Sequence, residues 1–211
     1  MKVVLVNGSP RENGCTFTGL SIVKEQLGKH GVDSQIYQVG NKPISGCIAC
    51  MECRQLGKGG SCVIDDDMVN TVAKALLEAD GIILGSAVHF ASATGAATSF
   101  FDRLFYCTFG MHRMKFGAAI VSCRRGGASA AFDQLNKYFT IAQMPIVSSC
   151  YWNNIHGYKP EDVYADEEGV RILKTLANNM AYLIKCKHAS NIELPEEEPS
   201  AFTSFHSIGR R

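Results

Sequence analysis

The chain has almost no excess charge and no long apolar run. Lys and Arg number 21 against 20 Asp and Glu over 211 residues, a formal net charge of +1. That balance excludes a strongly basic nucleic-acid-binding face and gives no bulk attraction to an anionic lipid surface. No apolar stretch approaches the ~20 residues of a membrane span. The first apolar run, Val3 to Val6, is too short for a signal-peptide core and ends at Asn7-Gly8-Ser9-Pro10, so a cytoplasmic protein is expected. There is no internal repeat. Two phosphate-binding signatures are missing: G-x-x-x-x-G-K-[ST], which a nucleoside triphosphate requires, and the dinucleotide fingerprint G-x-G-x-x-G. No catalytic triad or carboxylate pair gathers in one stretch.

What is present suits one α/β domain. Hydrophobic residues make up 46% and charged residues 19%, enough apolar surface at this length to fold without disulfides. Nine cysteines cannot all pair within one chain, which fits a reducing compartment where thiols bind metal, react or sit buried. Strands are expected at Val3–Val6, Ser34–Val39, Gly81–Gly85, Phe116–Ser122 and Ile146–Tyr151. Helices are expected at Thr16–His30, Met68–Ala79 (capped by Asp66 or Asp67), Ala93–Cys107, Gly127–Gln143 and Glu167–Lys187. Strand and helix alternate five times, which argues for a parallel sheet covered by helices on both faces. Residues 1–188 form this domain. Residues 189–211 form a tail whose Phe202, Phe205 and Ile208 give it apolar anchors on its own or a neighbouring subunit.

In such a sheet, ligands bind beyond the carboxyl ends of the strands. The loop after the first strand, Asn7 to Thr16, leads straight into a helix. Ser9, Asn13 and Thr16 offer short polar side chains and Arg11 a fixed charge, beside the free N–H groups of the helix start, so a phosphate fits there without lysine or metal. The loop after the third strand, Ser86-Ala87-Val88-His89-Phe90-Ala91, is built of small residues that let a flat ring lie near the backbone, with His89 and Phe90 to flank it. Phe100-Phe101-Asp102-Arg103 follows on the next helix, where core packing accounts for most of the aromatic residues. The turn after the fourth strand, Cys123-Arg124-Arg125-Gly126-Gly127, joins positive charge to close backbone approach. It suits electron-rich carbonyls or nucleotide phosphates.

Together, "NGSPRENGCT", "GSAVHFASATGAATSFFDR" and "CRRGGA" resemble the three flavin loops of the NADPH-dependent FMN reductase family, over about residues 1–150 and in the same order. The resemblance implies a flavodoxin-like three-layer sandwich with a five-stranded parallel sheet in the order 2-1-3-4-5. It implies that Ser9, Arg11, Asn13, Cys15 and Thr16 hold the FMN phosphate. Ser86, Ala87, Val88, His89, Phe90 and Ala91 line the ring, and Arg124, Arg125, Gly126 and Gly127 close over its pyrimidine side. It also implies a homodimer or homotetramer. Relatives often carry Pro and Tyr at the positions of Ala87 and His89, and a basic residue at Ser99.

Between the second strand and second helix, Cys47-x2-Cys50-x2-Cys53-x8-Cys62 gathers four thiols in one loop loosened by Gly57, Gly59 and Gly60. Free or transiently oxidised thiols are the simplest account. Thiolates at this spacing also suit a [4Fe-4S] cluster, as in iron–sulfur flavoproteins of the same superfamily, whose last spacing is usually shorter. Four thiolates likewise suit tetrahedral zinc. Cys107, Cys123, Cys150 and Cys186 read as small buried hydrophobes.

The expected activity is electron transfer from NADPH or NADH through FMN to a small acceptor such as a flavin or quinone. The flavin supplies the chemistry, and His89 is the one candidate side chain near it. Two alternatives stand beside it: an iron–sulfur electron carrier working with a redox protein partner, and a non-catalytic flavin-binding module.

Overall fold

The computed structural model describes residues 1–55, 59–199 and 201. Gly57 and the anchors Phe202, Phe205 and Ile208 lie outside them.

The first strand, β1 (Lys2–Asn7), lies inside the sheet, and its apolar residues alternate between faces. Val4 and Val6 enter one core, while Val3 and Leu5 enter the other. β2 (Asp33–Gln38) pairs parallel on one side of β1, and β3 (Gly81–His89) pairs parallel on the other. β5 (Phe116–Cys123) lies beyond β3, and β6 (Asn154–His156) beyond β5, both parallel. The parallel order is therefore β2-β1-β3-β5-β6, with β4 (Ser92–Ala93) added antiparallel to the end of β3. This is the five-strand order expected, carried with one short extra strand.

The helices divide between the two faces. α3 (Val69–Leu77), α4 (Gly95–Cys107) and α5 (Ala128–Ile141) bury Val72, Leu76, Phe100, Phe101, Leu104 and Leu135 against one face. α1 (Cys15–Lys29) and α6 (Glu167–Ala189) bury Leu20, Val23, Leu27, Leu173, Leu176 and Met180 against the other. β1, β3 and β5 are covered on both faces, which explains their nearly unbroken apolar sequences. Among the described residues, no helix is long and apolar enough to cross a membrane.

The fifth parallel strand is not Ile146–Tyr151. Ile146 makes only an isolated bridge to Gly117, with Val147 N–H donating to Gly117 O (2.8 Å). The chain then loops out. Ser149 Oγ lies 2.7 Å from both Tyr151 O and Asn153 Oδ1, with its one proton to give to either, and Asn153 Nδ2 donates to Ala119 O (3.0 Å). A buried side-chain amide thus takes the place of a strand at that point on the β5 edge, satisfying its carbonyl. Pairing resumes at Asn154.

α2 (Glu52–Gln55) is a single turn inside the cysteine segment. A 3₁₀ turn, Pro160–Ala165, leads into α6. After α6 the described chain runs without helix or strand, and Arg113 holds it by a bond from Nη2 to Pro195 O (2.5 Å) and an ion pair with Glu197 (3.7 Å).

Candidate functional site

Four strand ends, those of β1, β3, β5 and β6, meet at one cleft of about 230 Å³, lined by Ser9, Arg11, Cys15, Ala87 to His89, Ser122 to Arg124, and Gly157-Tyr158. Two hydrogen bonds fix the loops to one another. Gly8 N–H donates to Gly85 O (2.9 Å), and Thr94 Oγ1 donates to Gly8 O (2.7 Å). Gly8 also has to be glycine, because a Cβ there would lie 2.6 Å from Ala97 Cβ.

The first wall is the start of α1. Gly14 is its N-cap, and no side chain caps it. The N–H groups of the first turn, Cys15 to Phe17, therefore point out with no intrahelical partner. Ser9 is buried and its Oγ accepts Arg11 N–H (3.2 Å), which curls the loop and leaves the exposed Arg11 side chain at the rim. Arg11 Nη1 reaches Tyr158 O at 3.5 Å, and its guanidinium lies 6.0 Å from the Tyr158 ring centroid. An uncapped helix start beside a guanidinium fits a phosphate monoester. Burial pushes the Cys15 and Cys123 thiols up, so both stay protonated and act as wall rather than nucleophile.

Not every expected residue faces the cleft. Thr16 is buried, with its hydroxyl 2.7 Å from Ser122 Oγ, so that side chain ties the start of α1 to the end of β5. Asn13 is exposed and lies outside the lining. Ser86 Oγ donates to Ala87 O (2.9 Å) and accepts Thr94 N–H (3.0 Å), fixing the second loop from behind. Arg125, Gly126 and Gly127 line a neighbouring cavity of about 460 Å³ with Tyr151, Trp152 and His156.

The second wall is a β-hairpin. β3 continues past Gly85 to His89, pairs with Ser92, and reverses through Phe90 (φ 50°) and Ala91 (φ 58°). Two central residues with positive φ make a type I′ turn, a geometry that normally selects Asn-Gly. Phe90 is fully exposed at its tip (105%). Phe90 directly follows His89 of the cleft lining, and its exposure shows that packing does not hold it in this strained position. Gly127 (φ 91°) backs the hairpin: a Cβ there would meet Ala91 Cα at 2.7 Å and Val88 Cγ1 at 3.0 Å. The sheet thus carries Ser9, Arg11, Cys15, Ala87, Val88, His89 and Arg124 into one cleft, with Phe90, Ala91 and Gly127 on its border.

Tyr158 was missed at the sequence level. The rule that found the other loops also finds this one once the fifth strand is set at Asn154–His156, since Gly157-Tyr158 follows its carboxyl end.

The four loop cysteines meet elsewhere. Cys47, Cys50, Cys53 and Cys62 line one apolar pocket with Ile48, Met51, Val63, Arg103, Tyr106 and Cys107, closed down to about 20 Å³. Cys47 and Cys50 are exposed, while Cys53 and Cys62 are half-buried. Ala49 (φ 52°) and Met51 (φ 65°), on either side of Cys50, are left-handed. The arm from Pro43 to Met51 has no helix, strand or turn of its own, and α2 begins directly after it. Arg54 lies over the Tyr106 and Phe109 rings, at 4.2 and 4.5 Å. Asn70 holds the Cys62 backbone on both sides, accepting from its N–H (2.7 Å) and donating to its O (2.9 Å). Burial pushes the Cys107 thiol up to about 12, so it remains a thiol.

Among the described residues, no three Cys, His, Asp or Glu side chains stand close enough to hold one metal ion. The four thiols lining this one pocket are the donor set that would hold an iron–sulfur cluster, which would supply one-electron transfer there.

The parallel order and the crossing of three loops over the strand ends define a flavodoxin-like flavoprotein architecture. The chain belongs to the NADPH-dependent FMN reductase family, whose description matches residues 1–158. It is 30% identical over 193 residues to the iron-sulfur flavoprotein MJ1083 of Methanocaldococcus jannaschii, covering 88% of this chain and 98% of that one. In fold it is similar to RosB, solved with a bound 8-demethyl-8-formylriboflavin-5'-phosphate intermediate (TM-score 0.68, 11% identity, 99% of this chain and 97% of that one). It is likewise similar to a flavodoxin from the domain Archaea (TM-score 0.60, 17% identity, 88% and 99%).

Proposed function

We propose that the protein is an FMN-dependent electron-transfer oxidoreductase whose second redox centre is an iron–sulfur cluster held by Cys47, Cys50, Cys53 and Cys62. The observation that carries this is the convergence of those four thiols on one apolar pocket, apart from the flavin cleft. The name of the similar Methanocaldococcus jannaschii iron-sulfur flavoprotein supports it. When bound, FMN exchanges electrons singly or in pairs, and a cluster passes one at a time.

The chain's own groups do the positioning. Arg11 and the first-turn N–H groups of α1 hold the FMN phosphate. Ala87 to Ala91 form the wall against the ring, and Phe90 shields it at the mouth. Arg124 brings a positive charge to the same cleft, where it would stabilise negative charge on a bound flavin. Tyr158 closes the rim above Arg11. No side chain is needed to break a bond, and His89 remains a ring contact.

A nicotinamide donor is the second reading, supported by the family's description and by exposed Arg124 and Arg125, which suit a nucleotide phosphate. The test is the visible spectrum of anaerobically purified protein, before and after NADPH. A broad absorption beneath the two flavin bands, lost in Cys50→Ser, is expected. Flavin bands alone that bleach fully with NADPH would leave a nicotinamide-driven flavin reductase and remove the cluster.

A further inference from the structure

The cysteine loop is fastened by one buried arginine. Arg103, on α4, is 1% exposed. It pairs with the Asp67 carboxylate through Nη1. The same nitrogen donates to Ser45 O (3.4 Å), and Nη2 donates to Ile64 O (2.5 Å). Its Nε donates to Cys62 Sγ (3.5 Å). Ser45 and Ile64 bracket the segment carrying all four loop cysteines.

This arrangement exceeds what packing asks of an arginine. A buried cation is costly, and an apolar residue of similar volume in its place is often neutral or stabilising. Here the planar fork spends its donors on both ends of one loop and on a thiol within it. Lysine could not reproduce that, having three donors on a point charge.

We infer that Arg103 is a positioning residue for the cluster: it closes the cysteine loop before assembly and, through Cys62, raises the cluster's reduction potential. This rests on the cluster reading proposed above. Holding both loop ends removes closure entropy that assembly would otherwise have to supply. A fixed positive charge and an N–H donor at a ligating sulfur stabilise the more negative, reduced cluster. Asp67 partly offsets that charge, so it sets how far the potential rises.

The experiment is a potentiometric titration of the anaerobically purified full chain and of Arg103→Gln, Arg103→Lys and Asp67→Asn, with iron, acid-labile sulfide and FMN measured in each. FMN content is expected to stay at the wild-type level in all of them, since the flavin cleft is built from other loops. Arg103→Gln is expected to lower cluster content or, in molecules that keep it, to shift the one-electron equilibrium at least tenfold toward the oxidised form, about 59 mV. Asp67→Asn is expected to shift it the opposite way. Arg103→Lys should keep the potential closer to wild type than Arg103→Gln while losing cluster content.

Opposite shifts separate an electrostatic role from a loss of packing, which would move both variants the same way. Normal cluster content with unchanged potentials in Arg103→Gln would overturn the inference alone. Shifts of the same sign in Arg103→Gln and Asp67→Asn would overturn it too. If Arg103→Gln does not fold, the direction of the Asp67→Asn shift decides. Wild-type protein without iron and sulfide would overturn both this inference and the cluster reading.

Discussion

Replacing Gly127 by Ala tests how the flavin cleft is held open. Gly127 sits at φ 91° and presses on the hairpin, where an added Cβ would lie 2.7 Å from Ala91 Cα and 3.0 Å from Val88 Cγ1. Forcing an L-residue into positive φ costs roughly 1–2 kcal/mol, and overpacking against backbone costs about 1–3 kcal/mol. A loss of about 3 kcal/mol is expected, lowering Tm by about 6–12 °C for a chain of this size. The hairpin also has to shift, and with it the wall formed by Ala87 to Ala91, so FMN binding should weaken at least about tenfold, equivalent to ~1.4 kcal/mol. Gly126→Ala is the matched control: its φ is not positive and no atom lies within 4 Å of its built Cβ. Thermal unfolding and fluorescence titration of apoprotein with FMN measure both effects. Gly127→Ala indistinguishable from Gly126→Ala in both assays would refute the reasoning.

Three other perturbations have directions fixed by the geometry. Arg11→Ala removes the guanidinium from the uncapped start of α1 and should raise the FMN Kd about 10- to 100-fold with little change in apoprotein stability, by the same titration. Thr94→Ala removes the hydroxyl that accepts Ala97 N–H and donates to Gly8 O, and should cost about 1–2 kcal/mol in urea unfolding. His112 is buried with neither ring nitrogen hydrogen-bonded among the described residues. Burial, assisted by Lys115, lowers its pKa from the usual 6.5 to about 4. The unfolded chain therefore binds its proton first, so stability present above pH 6.5 is lost as pH falls toward 4, by about 3 kcal/mol in all. Urea midpoints of wild type and His112→Leu at pH 7 and pH 5 check this, with a smaller pH dependence expected in the variant.

Sequence patterning and structure agree where local chemistry decides. Val3 to Val6 and Gly81 to Gly85 are recognisable because strands buried on both faces need unbroken apolar runs. Arg11 and the helix start beside it are recognisable because an uncapped N-terminus is a local property. The displaced fifth strand was not: Ile146–Tyr151 has strand-like residues, and only the long-range bond from Asn153 to Ala119 shows why pairing moves to Asn154. The type I′ turn at Phe90-Ala91 was hidden because it uses residues that turn chemistry disfavours, held there by Gly127 from a distant loop. The role of Arg103 was hidden for a similar reason. It sits within an apolar helical stretch, and its partners Ser45, Ile64 and Asp67 are 36 or more positions away.

The most direct test of two redox centres in one chain is the iron and acid-labile sulfide content of anaerobically purified protein, expressed per bound FMN. The account predicts about four of each per chain, falling in Cys47→Ser, Cys53→Ser and Cys62→Ser while FMN is retained. Iron and sulfide at background in protein that carries full FMN would contradict it.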